Sequence, residues 1–415
     1  MQTPISDAIN RHKGHISFHM PGHSGLYNDD DITELSYSGN LLNKDSLISS
    51  SKQLVAEVYG VENSTYITNG ATCAVHVVAR ALRDKTFLIV GDCHMSIFSA
   101  IRLYNITAYY VERHNMKVAI LMVKPEVIFY TSVDYFGNVY HLDGDDLGNA
   151  ILVADEAHGA HLVFSDLTPK SAVLQADIVI HSPHKTMPVP TGGALLHYTS
   201  VFDERIRVAI SEIHSSSPSY LILAALERAI AEFSEHGIRY YIDIFNAIEC
   251  FKANLNNSFV LCESNATCEH DFTRLVLQSK FSASSVCKCL EEKNIFGEAC
   301  IDDKLVYIVT PYNYTNLGTL LHALNSIPDN LPPCKQHSIE INRDEICLIK
   351  NYDKFREIDL SEALGKISYR EICVYPPGTP LVLPGDVFTT QIINFVKEYE
   401  DSICGVENNR VFVVK

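Results

Sequence analysis

His181-Ser182-Pro183-His184-Lys185-Thr186, with Asp155-Glu156-Ala157-His158 thirty residues upstream, decides how this chain is read. The first stretch sets a lysine among small, polar and ring-bearing residues just after the apolar run Ile178-Val-Ile180. The second sets a carboxylate at the end of another apolar run, Ala150-Ile151-Leu152-Val153-Ala154. An amine able to form an imine and a buried acid able to hold a proton on a pyridine ring are the two groups that pyridoxal phosphate (PLP) chemistry most needs. Few charges surround Lys185, so desolvation is expected to lower its pKa and free the amine.

Outward from this pair the pattern alternates. Phe87-Leu-Ile-Val90, Val127-Ile-Phe-Tyr130, Ile151-Leu-Val-Ala154 and Ile178-Val-Ile180 read as buried strands, with helical spacing over 71–83 and 96–104 between them. Strands separated by helices predict an α/β fold whose largely parallel sheet is covered on both faces. In such sheets ligands sit at the carboxyl ends of the strands, where Asp92-Cys93-His94, Asp155 and His184-Lys185 fall. Residues 219–255 read as one or two long helices bridging to a smaller α+β region, with strands over 273–278 and 304–310 and a helix over 282–293. Three parts are expected: an arm over 1–45, a PLP-binding large domain over 46–250 and a small domain over 251–415. The proline-dense tail, Tyr375 to Asp386, is expected to lack regular structure.

Thr68-Asn69-Gly70-Ala71-Thr72 opens a helix with small residues, a turn that offers backbone N–H groups and a hydroxyl to an anion, although any helix cap looks similar. Without GxxxxGK[ST] there is no nucleoside triphosphatase reading, and Asp155-Glu-Ala-His158 does not stand for a helicase box. No HExxH occurs, so no metal is expected. His94 is placed to stack on a planar ring or to bond backbone at a strand end.

The whole chain narrows the classes further. With 415 residues, 47% hydrophobic and 20% charged, it has the composition of a globular protein. A net charge of −17 argues against nucleic acid and suits a cationic small molecule. The 12 cysteines follow no regular spacing; Cys287 and Cys289 are too close for a strain-free bridge, and reduced thiols are expected. Residues 1–17 lack a signal-peptide core and no apolar run spans a bilayer, so a cytoplasmic protein without membrane association is expected.

The ordered set Met20-Pro-Gly-His23, Asp31-Ile-Thr-Glu-Leu35, Asn69-Gly70, Cys93-His94, Tyr135-Phe-Gly137, Asp155-Glu-Ala-His-Gly-Ala-His161, Ala176-Asp177, His181-Ser-Pro-His-Lys185, Glu362-Ala-Leu-Gly365 and Tyr375-Pro-Pro-Gly-Thr-Pro-Leu-Val-Leu-Pro-Gly-Asp386 resembles the Orn/Lys/Arg decarboxylases of PLP fold type I. The resemblance covers most of the chain and implies decarboxylation of ornithine, lysine, arginine or a close analogue, of the kind that serves polyamine biosynthesis. It implies that Lys185 carries the cofactor as an internal aldimine and that Asp155 pairs with the pyridine nitrogen. His94 would stack on the ring, and His158 would lie near its phenolic oxygen or the substrate carboxylate. Ala71, Thr72, Ser182 and His184 would hold the phosphate. Asp386, where the family usually has glutamate, would meet the substrate's distal cation. The receiver-like wing of large family members is not expected in so short a chain, and a homodimer with sites at or near its interface is.

The chain departs from the family at Thr191-Gly192-Gly193, where a Thr-Gln pair is common, at Gly91, Asp92 and Met95 around Cys93-His94, and at Ser24. Other PLP reactions on a cationic amino acid (oxidation, aldol-type cleavage, transamination) therefore stand as alternatives, since the fold alone does not choose among them. A PLP-binding regulatory protein or a cofactor-free binding module is less consistent with retention of Lys185 and Asp155.

Overall fold

The structure is a computed structural model and describes residues 1–43, 46–142, 147–264, 268–334, 345–375, 378–399 and 402–415. Pro376 and Pro377 of the tail motif, and the last two residues of the expected arm, lie outside that set.

In chain order the first half holds α1 (Pro4–Arg11), α2 (Leu47–Tyr59), β1 (Asn63–Ile67), α3 (Gly70–Ala81), β2 (Phe87–Val90), α4 (Met95–Tyr104), β3 (Ala108–Val111), α5 (Met116–Val123), β4 (Val127–Thr131), β5 (Asn138–Val139), β6 (Ile151–Asp155), β7 (Ile178–His181), β8 (Ala194–Tyr198) and α6 (Asp203–Ile213). After the long α7 (Tyr220–Asn254) come β9 (Phe259–Leu261), β10 (Glu269–His270), β11 (Arg274–Ser279), α8 (Ala283–Glu291), β12 (Ala299–Ile301), β13 (Lys304–Ile308) and α9 (Leu317–Asn325). The last part holds β14 (Ile346–Ile349), β15 (Phe355–Asp359), β16 (Ile372–Val374), β17 (Thr379–Val382), α10 (Thr390–Glu398), β18 (Ile403–Cys404) and β19 (Arg410–Val414).

The main sheet runs β1-β8-β7-β6-β4-β2-β3-β14. Its five central strands, β7 to β3, are parallel; β8 and β14 run antiparallel to them, and the edge strand β1 pairs antiparallel with β8. The four apolar runs read from sequence are β2, β4, β6 and β7; the fifth central strand, β3, is not among them. Phe87, Leu88, Ile89 and Val90 are all fully buried because helices cover both faces. Residues of α3, α4 and α6 pack on one face, and residues of α1, α2 and α7 on the other. The order reverses at β2, which has β3 on one side and β4 on the other, opening a crevice at the carboxyl ends of β2 and β4.

Helix α7 is a single helix of 35 residues, capped by the Ser219 hydroxyl, which accepts from the Ile222 N–H. Its buried stripe, Leu223, Leu226, Ile230, Phe233, Gly237, Tyr241, Ile244, Ile248 and Phe251, keeps helical spacing from end to end. Gly237 is a packing glycine: a Cβ there would sit 2.7 Å from Phe164 Cβ. The same continuous core takes in Leu275 and Leu277 of β11 and Leu305 of β13, from the four-stranded sheet β12-β13-β11-β9. A separate core, with Leu360, Val382, Phe388, Ile392 and Val411, serves the C-terminal segment.

Two expectations change. Regular structure does enter the tail, because Thr379–Val382 forms β17 around Pro380. Proline fits since β17 is an edge strand and its register on β16 is irregular beside Cys373. The thiols are not all reduced: Cys287 on α8 is bonded to Cys300 on β12. The turn between α8 and β12 brings this pair together, and sequence spacing carried no sign of it. No helix among the described residues is long and apolar enough to cross a membrane.

Candidate active site

The eight residues expected to act on or hold a cofactor converge on one cavity of about 570 Å³ at the carboxyl ends of the parallel strands. Ala71 and Thr72 come from the first turn of α3, His94 from the end of β2, and Asp155 and His158 from β6 and its turn. Ser182, His184 and Lys185 follow β7. Each leaves its strand at the crevice because parallel strands deliver their C-terminal loops to the same edge.

At the floor, Asp155 is buried and its Oδ1 accepts from the Ala157 N–H at 3.1 Å. Lys185 ends a short turn closed by its own N–H on the Ser182 carbonyl at 2.9 Å. Burial lowers the Lys185 pKa; Asp155 and Glu298 oppose that shift and Arg274 adds to it. Lys185 Nζ lies 3.0 Å from His158 Nε2, and Arg274 Nη2 lies 2.7 Å from His158 Nδ1. The Tyr135 ring meets His158 edge-on at 5.7 Å between centroids. Burial and the cations of Lys185 and Arg274 hold His158 well below the ordinary histidine range.

His94 caps α4, its Nδ1 accepting from the Ser96 N–H at 3.2 Å. That bond orients the ring under the C-terminal segment, where a Cβ on Gly378 would sit 3.0 Å from His94 Cδ2. Burial lowers its pKa, with Asp155 opposing and Lys185 reinforcing. Tyr375, Gly378 and Thr379 complete this wall of the cavity.

The residues fit PLP. Helix α3 starts at the cavity with no side chain capping its N-terminus, so the N–H groups of its first turn beyond Gly70 are presented to an anion. The buried Ser182 Oγ has no hydrogen-bond partner among the described residues, as expected of a hydroxyl that serves a ligand oxygen. His184 fixes its ring by Nδ1 on the Gly193 carbonyl at 2.9 Å. Thr191 and Gly192, where the chain departs from the family, also line the cavity, and the Gly192 carbonyl accepts the Gly70 N–H at 2.8 Å.

Asp386 is not brought to this cavity within the chain. Its Oδ2 accepts from the Leu383 N–H at 2.8 Å, tying its own loop. Glu298, just before β12, lines the cavity and accepts from the Tyr135 hydroxyl at 2.9 Å. Sequence reading missed Glu298 and Arg274. Both come from the region after α7, far along the chain from Lys185, and no local motif marks either one.

Beneath the site a buried relay crosses the sheet. The Ser64 hydroxyl meets His197 Nδ1 at 2.7 Å, His197 Nε2 meets His181 Nδ1 at 3.1 Å, and His181 Nε2 meets Glu156 Oε2 at 2.8 Å. Glu156 also accepts from the Ser132 hydroxyl at 2.9 Å, the Ala172 N–H at 2.8 Å and the Ser171 hydroxyl. Ordinary sites of the carboxylate are thereby filled, and the network sets β6 and β7, which carry Asp155 and Ser182, side by side.

Comparison with known proteins agrees with this geometry. Residues 123–281 match the Orn/Lys/Arg decarboxylase major domain and residues 345–406 its C-terminal domain, together just over half of the chain. The chain is 25% identical to an arginine decarboxylase of Bacillus subtilis (strain 168), over 100% of this chain and 97% of that protein. It is 28% identical to the uncharacterized protein YaaO of the same organism, over 95% and 93%. The E. coli constitutive lysine decarboxylase superposes with a TM-score of 0.80 at 17% identity, covering 100% of this chain and 82% of that one, a likeness of fold. Two domain matches in order, on the fold and site described, establish that the chain belongs to the Orn/Lys/Arg decarboxylase family, whose members are PLP-dependent carboxy-lyases.

Proposed function

We propose that this enzyme removes the α-carboxylate of a basic amino acid (ornithine, lysine, arginine or a close analogue) as carbon dioxide and releases the amine, with PLP held on Lys185. The observation that carries the reading is the convergence of Lys185, Asp155 and His94 on one cavity that also has the Glu298 carboxylate in its wall. The names of the arginine and lysine decarboxylases that the chain resembles support the same substrate class.

PLP supplies an electron-withdrawing ring that takes up the electron pair left on Cα when the carboxylate departs. Asp155 would hold the proton on the pyridine nitrogen, as a buried carboxylate beside a ring cation does. His94 would shield the ring from water. The α3 N-terminus, Thr72, Ser182 and His184 would anchor the phosphate. Lys185 Nζ and His158 Nε2 stand together where a proton can be returned to Cα. Glu298 receives the distal ammonium or guanidinium in a charge-assisted contact.

The test is a screen of the purified, PLP-loaded chain against ornithine, lysine, arginine and their shorter and N-modified analogues. Carbon dioxide and the matching amine in equal amounts are expected. A keto acid or hydrogen peroxide as the product would replace this reading with transamination or oxidation.

A further inference from the structure

The contact between Arg274 and His158 fixes more than the position of a ring. A neutral imidazole has one donor and one acceptor nitrogen, and a guanidinium has donors only. Arg274 Nη2 at 2.7 Å from His158 Nδ1 therefore makes Nδ1 the acceptor. The single ring proton is then on Nε2, which faces Lys185 Nζ at 3.0 Å. A donor at that distance needs a lone pair opposite it. An ammonium has none, and the reverse arrangement, with an ammonium donating to Nε2 and the proton on Nδ1, would set two N–H groups against each other at Arg274.

We infer that Arg274 is a positioning residue that fixes His158 as its Nε2–H tautomer and thereby holds Lys185 as a free amine, ready to attack a carbonyl carbon. The inference rests on the proposed role of Lys185 as the imine-forming residue. It adds the device that keeps that amine unprotonated.

The surroundings of Arg274 fit a fixed donor. The side chain is 1% exposed, and its Nη1 has no hydrogen-bond partner among the described residues, so its charge is directed at its neighbours. Its stem passes Gly137, where a Cβ would sit 2.6 Å from Arg274 Cβ; the family motif Tyr135-Phe-Gly137 thus makes room for the arginine. Its backbone N–H donates to the Asp271 carbonyl at 2.9 Å. The charged and titratable groups around the pair are Asp155 and Glu298, which favour the ammonium of Lys185, Arg274, which opposes it, His94 and His184, which lower the His158 pKa further, and Tyr135, edge-on to the His158 ring. Asp271, Glu298, Tyr135 and Asp134 in turn favour the guanidinium of Arg274. The directions of shift at Lys185 and His158 agree with a free amine beside a neutral ring.

Nitrogen-15 NMR of the full chain labelled at histidine tests this directly. The resonances lost in His158→Gln identify the ring, and its nitrogen shifts and couplings report the tautomer. The Nε2–H form is expected in the wild-type chain. A protonated Nδ1 or an imidazolium overturns the inference, whatever the decarboxylation screen gives, so the two readings fail separately. The second measurement is the rate of imine formation with added PLP against pH, followed by absorbance. Arg274→Met removes the donor and should move the profile to higher pH, slowing the reaction by on the order of tenfold below the amine's pKa. Arg274→Lys restores a cationic donor and should recover it. An unchanged profile in a folded Arg274→Met chain also overturns the inference; if that variant does not fold, the wild-type tautomer decides alone.

Discussion

Replacing Glu156 by glutamine should destabilise the protein strongly although it keeps shape and size. The carboxylate is fully buried and accepts from four donors: Ser132, Ser171, the Ala172 N–H and His181. A glutamine oxygen can satisfy two of them, while its amide turns two donors toward the others. The serine hydroxyls can rotate. His181 can adapt only by moving its proton to Nδ1, which forces His197 to reverse and Ser64 to become an acceptor. Hydrogen bonds to a charged group contribute about 1.5–3 kcal/mol each, so loss of two gives a destabilisation of about 3–6 kcal/mol. Urea unfolding followed by circular dichroism measures it as a fall in midpoint at unchanged slope. Ser64→Ala, at the far end of the relay, should cost only about 1 kcal/mol. A Glu156→Gln change below about 1 kcal/mol, or equal losses in the two variants, would refute the argument that the carboxylate is the sink of the relay.

Three other perturbations read different parts of the structure. Burial pushes the Asp271 carboxyl up, but His161, 3.1 Å away, with Thr273 and Arg274 more than reverses this and brings it from 3.8 to about 2. A depressed folded value means stability that is present above pH 3.8 and lost as pH falls toward 2, about 2 kcal/mol in all; urea midpoints of wild type and Asp271→Asn should converge across that window, and parallel curves would contradict it. Gly137→Ala places a Cβ against Arg274 at a φ of +83°, and a loss of about 3 kcal/mol in urea unfolding is expected; a neutral outcome would mean the arginine stem moves freely. Glu298→Gln should raise KM for the preferred substrate by about tenfold while leaving cofactor absorbance unchanged, and an unaltered KM would remove Glu298 from substrate recognition.

Four of the five central strands of the main sheet were legible because parallel strands covered on both faces must be apolar throughout, and Phe87–Val90 and Ile151–Ala154 are; β3, with Tyr109 and Tyr110 in its middle, was not. The convergence of the eight expected residues on one cavity was legible because parallel topology sends every strand end to one edge. The role of Asp386 rests on the motif resemblance alone; within the chain its carboxylate accepts from the Leu383 N–H. Glu298 and Arg274 were invisible for the opposite reason. They reach the site through the packing of a second sheet on α7, a contact between distant segments that leaves no periodicity or spacing in the chain. The Cys287–Cys300 pair escaped in the same way.

Strand β14 follows the second sheet in sequence but returns to the main one, pairing Ile346–Ile349 with Ala108–Val111. That return makes the C-terminal segment a seal as well as a wall of the cavity. A chain cut before Ile346 would leave β3 as the outermost strand, its Ala108 and Tyr110 backbone groups open to pairing with another molecule, since Val111 faces β2 through its carbonyl on the Gly91 N–H. Shortened forms should therefore aggregate edge to edge while their large-domain core is still intact, and the boundary that matters for producing a soluble fragment lies beyond β14, not after α7.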